Sequence, residues 1–458
     1  NGTFNPTEDA NGNASPSDTK TKTFHLKSGV KLYGGFVGNE NSISERVLDN
    51  NNLLTVLDGS QGGSSKSYHV VTVKNTSLST TLDGFKIING NADNSSAGFK
   101  GGGVFIDGKG GGNSSQLQIK NCNFTSNEGF LGAAVAIDGE DGYAKSIIDS
   151  SIFVSNEAFL HGGAIFGIGS IIISNTTFRN NDTFLLSGGA CYFALSSTVE
   201  ISSSIFDTNS GNDSGGAIAF DFEGNFSPLI ENCTFEANTS THGGAIYCES
   251  QMGSFTPIIV NSVFYKNMAD NYGGAIFNRS EVSGTNTSPQ ITNCTFAENV
   301  SPNGATIYNL GSSFNTNGNP PIVKNSIVWG IGNGSSQHGA SSTNSTSFYN
   351  SIVEAGNTSN SNLILDPLFV DASTGDLKLQ IGSPAIDGGT FSGITHTTDQ
   401  VSQNHINLPD MGAFEYDPLT SDLEIVGAEL VRGECLNSSD TIIIDVKINT
   451  PKGINDLK

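Results

Sequence analysis

The sequence is poor in charged residues, and above all in positively charged ones. Only 14% of its 458 residues are Asp, Glu, Lys or Arg, and 21 Lys and Arg stand against 44 Asp and Glu, for a formal net charge of −23. This balance argues against nucleic acid and anionic membrane surfaces as partners. So few cations also disfavour a groove for an acidic polysaccharide. The sequence has no apolar run long enough to span a membrane, so we expect no membrane insertion by this chain.

The sequence also lacks helical periodicity. No window combines a sustained apolar period of 3.6 residues with helix caps. The apolar segments are instead four to six residues long, rich in Ile, Val, Phe and Thr, and bounded by Gly, Asn and Ser. Such segments are typical of short strands separated by turns. The sequence therefore predicts an all-β protein.

Two short motifs alternate through the middle of the chain at an interval of about thirty residues, which is the mark of a solenoid. The first motif is F-x-x-N, with phenylalanines at Phe124, Phe153, Phe178, Phe206, Phe235, Phe264 and Phe296 and asparagines at Asn127, Asn156, Asn181, Asn209, Asn238, Asn267 and Asn299. The second is G-G-A-I or a variant of it, starting at Gly102, Gly132, Gly162, Gly188, Gly215, Gly243, Gly273 and Gly304.

A repeat of this length with two or three short strands cannot bury its own apolar face, but it can when it stacks on copies of itself. We therefore predict a right-handed parallel β-helix of roughly twelve coils, each rising about 4.8 Å. The phenylalanines would stack in the interior. The asparagines would form a ladder at a corner, where Asn tolerates left-handed dihedral angles. The glycines would permit tight turns. A β-propeller is disfavoured because no blade signature is present.

The regular repeats set the predicted domain boundaries. Residues 1–22 are expected to form an irregular lead-in, and residues 23–418 the β-helix with less regular coils at both ends. Residues 419–458 show alternating apolar residues without the repeat, as at the start of an immunoglobulin-like β-sandwich. Because such a domain needs about 100 residues, this segment is either part of a longer domain or a strand donor to another subunit.

The six cysteines are Cys122, Cys191, Cys233, Cys248, Cys294 and Cys435, and none has the spacing of a zinc site. Cys122, Cys233 and Cys294 share one column, two residues before the repeated phenylalanine. Cysteines two coils apart are separated by roughly 10 Å, whereas a disulfide needs Cα atoms within about 7 Å. We expect these cysteines to be reduced, buried fillers of the interior.

One column after the glycine motif carries the candidate metal ligands. It reads Asp107, Asp138, Ile168, Ala194, Asp221, Glu249, Arg279 and Leu310 from coil to coil. Neighbouring carboxylates invite a cation, so Asp107, Asp138, Asp221 and Glu249 are candidate calcium ligands. The alternative is a solvated strand end with an exposed Glu249–Arg279 pair. His161 and His242 precede the glycines and are either further ligands or tolerated variation.

The alternating G-G-A-I and F-x-x-N motifs resemble the repeats of the chlamydial polymorphic outer-membrane proteins and related bacterial surface proteins, over about residues 82–310. The segments Val30–Phe36, Asp366–Asp371, Ser383–Gly389 and Pro409–Tyr416 resemble secreted β-helix proteins of Bacteroidota. This resemblance implies a β-helical protein displayed at the cell surface, often as an adhesin. Unlike autotransporters, the sequence shows no C-terminal membrane barrel.

The sequence therefore leads us to expect a non-catalytic extracellular protein of the cell surface, either an adhesin or a stalk or filament subunit. Its partners would be carbohydrate or protein on other surfaces, or further copies joined end to end. Asn175, Asn212 and Asn344 lie in N-x-S/T sequons and are candidate glycosylation sites. No catalytic or cofactor-binding residues are assigned, with calcium as the one cofactor considered. The alternative is a polysaccharide lyase or glycoside hydrolase, since these enzymes also use parallel β-helices.

Overall fold

A computed structural model describes residues 2–46, 48–62, 64–93, 99–195, 197–280, 285–311, 320–330, 338–340 (backbone only), 346–354, 358–392 and 396–416. The C-terminal segment predicted to be a partial sandwich or a strand donor lies outside these residues, as do Asn344 and Cys435.

The described chain forms a parallel β-helix, as the repeats predict. Four parallel sheets run along it, and a regular coil visits them in the order I, II, III and IV. The fourth strand is a difference from the predicted two or three strands per coil. It arises because the chain extends again between the F-x-x-N corner and the glycine motif, as in Glu128–Leu131 and Glu157–His161.

Sheets I and II lie on either side of the first corner of each coil. The eleven strands of sheet I are Lys31–Tyr33, Thr81–Asp83, Ser114–Lys120, Tyr143–Asp149, Ser170–Ser174, Thr198–Ser202, Leu229–Glu231, Ile258–Val260, Gln290–Thr292, Ile322–Lys324 and Ser347–Tyr349. The twelve strands of sheet II are Gly2–Phe4, Thr55–Asp58, Lys86–Ile88, Asn123–Thr125, Ile152–Val154, Thr177–Arg179, Ile205–Asp207, Thr234–Glu236, Val263–Tyr265, Thr295–Ala297, Ile327–Trp329 and Ile352–Val353.

Sheets III and IV complete the coil. The seven strands of sheet III are Asn91–Ala92, Glu128–Leu131, Glu157–His161, Asp182–Thr183, Ser210–Ser214, Thr239–His242 and Met268–Tyr272. The eleven strands of sheet IV are Phe24–Leu26, Val71–Lys74, Val104–Asp107, Val135–Asp138, Ile165–Ile168, Cys191–Leu195, Ile218–Glu223, Ile246–Met252, Ile276–Ser280, Ile307–Gly311 and His338–Ala340.

The remaining elements are short. Ser254–Phe255 pairs with Asn286–Thr287, and Phe369–Asp371 pairs with Asp376–Leu379. Four 3₁₀ turns span Thr19–Thr21, Ile43–Glu45, Ser359–Ser361 and Ala372–Thr374. Within the described residues, none of these turns has the length and apolar character of a membrane-spanning helix. Gly2–Phe4 pairs with Thr55–Asp58, so sheet II begins inside the segment predicted to be an irregular lead-in.

Alternation of side chains explains how these strands enclose a core. In Ser114–Lys120 the buried Leu117 and Ile119 point inward, while Gln116 and Gln118, which alternate with them, face outward. The phenylalanines of the F-x-x-N motif fill the interior as one stack, with successive ring centroids 4.6–4.9 Å apart. The same residues therefore recur in every coil because each occupies the same place in a continuous core.

The motif asparagines form a fully buried ladder beside this stack. From Asn127 to Asn267, each side-chain Nδ2 donates to the Oδ1 of the asparagine in the next coil at 2.9–3.0 Å. Most of them also donate to the carbonyl of a stacked phenylalanine, as Asn156 does to Phe124. The expected left-handed conformation, however, belongs to the residue before each asparagine, such as Ser126 and Ser155, at φ of 54° and 52°.

The glycine motif makes the turn from sheet III to sheet IV. Its first glycine has a positive φ in each coil, for example 66° at Gly215, where an added Cβ would lie 2.2 Å from the carbonyl oxygen of Ile218. In the first regular coil the left-handed glycine is Gly101, because Val104 pairs with Val135. The motif there begins one residue earlier than Gly102, the start predicted from sequence.

The cysteines of the described chain are all free and buried. Cys191 and Cys248 lie in sheet IV, whereas Cys122, Cys233 and Cys294 share one column with small hydroxyl residues. The Sγ and hydroxyl groups of this column form a second ladder near the corner between sheets I and II. Cys122 N–H donates to Ser151 Oγ at 3.2 Å, and Cys233 N–H donates to Ser262 Oγ at the same distance. Small polar side chains and cysteine are interchangeable here because each fills the column and accepts one backbone N–H.

The last described part of the β-helical unit, residues 366–392 and 396–415, folds back along the outer face of sheet II. Tyr265 donates its hydroxyl hydrogen to the carbonyl of Ala372 at 2.7 Å. Ala413 N–H donates to Thr295 Oγ1 at 2.9 Å, and the Gln400 side chain donates to Thr234 Oγ1 at 2.8 Å. This segment therefore covers the outer face of sheet II over its C-terminal strands.

Candidate binding faces of the solenoid

The predicted metal ligands lie on the outer face of sheet IV as two separate pairs. Asp107 is directly opposite Asp138, and Asp221 is directly opposite Glu249. The column between the pairs holds Ile168 and Ala194, which supply no ligand. The structure therefore brings the four carboxylates together only two at a time.

Each carboxylate also has a partner from the chain. Asp107 pairs with Lys74 and Asp138 with Lys100, both at 2.7 Å. Asp221 accepts a hydrogen bond from the Tyr192 hydroxyl at 2.9 Å. Glu249 accepts one from the Tyr247 hydroxyl at 2.6 Å. The Arg279 Nε lies 3.5 Å from Glu249, so the two residues of the alternative interpretation do pair, but the Glu249 side chain is only 15% exposed.

Within the described residues, no group of three or more His, Cys, Asp or Glu side chains is placed to hold a metal ion. The Lys100–Asp138 pair is nearly buried and is flanked by the rings of Phe99 and Phe166. The opposite charges of this buried pair already compensate each other, so a calcium ion would have to displace the ammonium group. The geometry adds no support to a calcium site in this column.

An aromatic cluster, which was not predicted from the sequence, lies beside these carboxylates. Phe166, Tyr192, Tyr247 and Phe277 occupy the position two residues before the acid column in their strands, and all four are buried although they point outward. Side chains from the last residues of sheet III cover them. The rings of His161 and Tyr192 lie 4.1 Å apart, and those of His242 and Phe277 lie 5.4 Å apart.

This environment shifts the titration of its polar groups. Burial lowers the pKa of His161 to about 4, although Asp221 attracts the charged form. Burial, with the carboxylates close by, raises the pKa of the Tyr192 and Tyr247 phenols. At neutral pH the cluster therefore presents a neutral imidazole and protonated phenols, which suit packing better than proton transfer. The two histidines considered as ligands lie against aromatic rings.

Sheet III carries a different surface, in which aromatic rings face the solvent. Phe130, Phe159 and Phe184 follow one another in three successive coils, with ring centroids 5.0 and 5.6 Å apart. Phe159 is 41% exposed and Phe184 is 59% exposed. We call these three residues the outer ladder. They stand six residues after the stacked phenylalanines Phe124, Phe153 and Phe178, a regularity that the sequence contains.

A column of carboxylates runs beside the outer ladder, two residues earlier in each strand. Glu128 is opposite Glu157, and Glu157 is opposite Asp182. Glu128 pairs with Lys66 at 2.7 Å. Within the described residues, Glu157 and Asp182 have no cationic partner. The next coils replace the two columns by the polar residues Ser210 and Asn212, then Thr239 and Thr241.

Two further surface features bear on partners. A cleft of about 500 Å³ on the outer face of sheet I is lined by polar groups, including Lys31, Tyr33, Gln118 and Lys120. Of the candidate glycosylation sites, Asn175 and Asn212 are exposed. The Asn212 side chain donates to the carbonyl of Leu185 at 3.1 Å, beside the end of the outer ladder.

Comparison with protein families agrees with the architecture. Residues 102–288 match the family described as the right handed beta helix region. Over these residues the chain is therefore similar to right-handed β-helix proteins, a class that includes surface proteins and pectate lyase-like enzymes. A comparison with curated proteins found no match.

Proposed function

We propose that the chain is a non-catalytic, extracellular protein of the cell surface that uses the outside of its β-helix to bind a partner, as an adhesin does. The observation that carries this proposal is the outer ladder. The exposed Phe159 and Phe184, the half-buried Phe130 and a carboxylate column lie on a surface otherwise made largely of amides and hydroxyls. Exposed aromatic residues in an ordered row contribute little to the core and are typical of interaction sites.

The distribution of the other faces supports the same proposal. The C-terminal segment covers part of sheet II, and the aromatic cluster of sheet IV is covered by residues of sheet III. The outer ladder has no such cover among the described residues. A partner can therefore reach the outer ladder without any rearrangement of the coils.

A polysaccharide lyase or hydrolase is the competing function, and Asp221 with Glu249 is the pair such an enzyme would use. Both carboxylates already accept hydrogen bonds from buried tyrosines. An enzyme at this place would need one carboxyl group free to exchange protons with substrate. The hydrogen bonds favour a structural role for the pair.

One experiment separates the two functions. The purified chain is applied to immobilised glycans, extracellular proteins and whole cells, and both retention and release of soluble sugar are measured. We expect retention without release, and loss of retention when Phe159 and Phe184 are both changed to Ser. Release of sugar that disappears in Asp221→Asn would overturn the proposal in favour of hydrolysis or elimination.

A further inference from the structure

The outer ladder also carries information about the kind of partner, given the proposed binding role. Its phenylalanines and carboxylates form two parallel columns on one face of sheet III. Within a strand the two columns are about 7 Å apart, because alternate residues share a face. A complementary partner presents an apolar row beside a cationic row.

Charge argues against a second copy of this chain as the occupant. Each copy would bring a formal net charge of −23 and its own carboxylate column to the contact. The three acids stand directly opposite one another in successive strands, so they already repel within one copy. A cationic partner relieves this repulsion, and Lys66 shows the arrangement by pairing with Glu128 at one end of the column.

The orientation of the rings argues against a sugar stacked on the ladder. Phe159 and Phe184 are nearly parallel, with 17° between their planes and 5.6 Å between their centroids. At this separation the two rings are offset-stacked, so each ring covers part of the face of the other. A pyranose ring needs a broad open aromatic face to stack on, whereas an apolar side chain needs only the part of the ring that stays exposed.

The spacing of the ladder distinguishes a helix from a strand. Successive coils rise about 4.8 Å along the solenoid axis, and the ring centroids of neighbouring rungs lie 5.0 and 5.6 Å apart in space. An α-helix advances about 5.4 Å per turn, so side chains one turn apart stay within about 1.2 Å of successive rungs over the three coils. Alternate side chains of an extended strand repeat at about 6.6–6.8 Å, so they fall out of step after one rung.

We propose that the outer ladder is a docking site for a basic amphipathic helix of a partner protein, lying parallel to the solenoid axis. Its apolar stripe contacts Phe130, Phe159 and Phe184. Lys or Arg side chains on one flank pair with Glu157 and Asp182. The contact covers about two helical turns, so it is a weak contact suited to multivalent attachment.

The test uses the full chain and a synthetic Leu/Lys peptide of about four helical turns whose leucines form one stripe. A peptide of the same composition in scrambled order, which has no stripe, is the control. Titration by fluorescence anisotropy should show that the amphipathic peptide binds to the chain and that the scrambled peptide does not. Hydrogen exchange should slow in the segments Glu128–Leu131 and Glu157–His161 when this peptide is present.

Three variants locate the contact. Phe159→Ser with Phe184→Ser should raise Kd about tenfold, because two central apolar contacts are lost. Glu157→Gln with Asp182→Asn should raise Kd about threefold at low salt and flatten its salt dependence. Met268→Ser is the matched control, because Met268 is exposed on the same sheet outside the ladder, and it should leave Kd unchanged.

Equal binding of the scrambled peptide, or an unchanged Kd in the double phenylalanine variant, would overturn the helix proposal. If a neutral oligosaccharide slows hydrogen exchange in the segment that contains Phe159, the partner is a glycan and not a helix. If the peptide fails while the chain is still retained on cells through Phe159 and Phe184, only the partner class is wrong. If retention fails as well, the proposed binding function falls with it.

Discussion

Two phenylalanine ladders run side by side in the same coils, and they differ in how far they extend. The interior ladder continues through seven coils and is fully buried, with rings 4.6–4.9 Å apart. The outer ladder stands six residues later in the chain, extends through three coils, and is then replaced by Asn212 and Thr241. Each of the seven coils contains a residue of the interior ladder, whereas four of them stack without a residue of the outer ladder. The outer ladder is therefore better explained by binding than by folding.

Breaking the interior ladder should have the largest effect. Phe206 is fully buried between Phe178 and Phe235, with ring centroids 4.8 and 4.9 Å away. Phe206→Ala should lower the free energy of unfolding by about 4 kcal/mol, since a buried aromatic ring is lost and neighbouring coils cannot close the cavity. Urea denaturation followed by circular dichroism measures this change. A loss below about 1 kcal/mol would show that the coils do repack.

The asparagine ladder allows the same comparison of a buried and an exposed position of the coil, here with polar side chains. Asn209 Oδ1 accepts from both the backbone and side-chain nitrogens of Asn181 at 3.0 Å. Asn209→Ala should cost about 2–4 kcal/mol because these two buried donors lose their acceptor. Asn212→Ala is the matched control on the exposed side of the coil and should be nearly neutral. Similar costs in both variants, measured by chemical denaturation, would contradict a special role for the buried ladder.

A side chain added at the first glycine of the turn between sheets III and IV should lower stability less than the changes above, but by a measurable amount. Gly215→Ala places a Cβ 2.2 Å from the Ile218 carbonyl oxygen at a positive φ, so we expect a loss of about 2 kcal/mol from strain. At Gly111 an added Cβ would meet no other atom within 4 Å, so Gly111→Ala should be neutral. Thermal unfolding of both variants gives the comparison. A neutral Gly215→Ala would mean that this turn relaxes.

The aromatic cluster of sheet IV points outward like the outer ladder, but it is buried like the interior ladder. It predicts that the free energy of unfolding depends on pH. His161 has its pKa lowered from 6.5 to about 4, so the unfolded chain binds more protons between these values. The stability it provides is complete above about pH 6.5 and is lost as the pH falls toward 4. The loss should be about 2–3 kcal/mol between these limits. His161→Phe should remove this part of the pH dependence in denaturation curves recorded between these two pH values, and an unchanged curve would contradict the assignment.

Much of the fold could be predicted because the same packing problem recurs in each coil. Phe124 and Asn127 repeat with their equivalents, and a repeated residue has one explanation that fits all its copies. The sequence could not reveal sheet III, since strands such as Asp182–Thr183 are too short to show alternation. Nor could it show which residue of a corner is left-handed, because Ser, Asn, Thr, Ala and Lys all occupy that position.

The sites were harder to predict because they depend on what covers each face. The acid column of Asp138 and Asp221 was visible in the sequence, but their partners Lys100 and Tyr192 come from positions that no local pattern links to it. Likewise, the outer ladder is a regular feature of the sequence. Its exposure becomes evident only when sheet III places Phe159 on the outside of the coil.

The smallest effect on stability should come from the outer ladder, and this result decides the comparison. Phe159 is 41% exposed and contacts the rings of Phe130 and Phe184. Phe159→Ala should therefore cost no more than about 1 kcal/mol, chiefly through lost ring contacts. Denaturation under the conditions used for Phe206→Ala measures the difference. A cost equal to that of Phe206→Ala would make the outer ladder part of the fold, and its exposure would no longer argue for binding. A small cost together with lost partner binding would separate the two ladders by function, because only contacts with another molecule would then account for the row of rings.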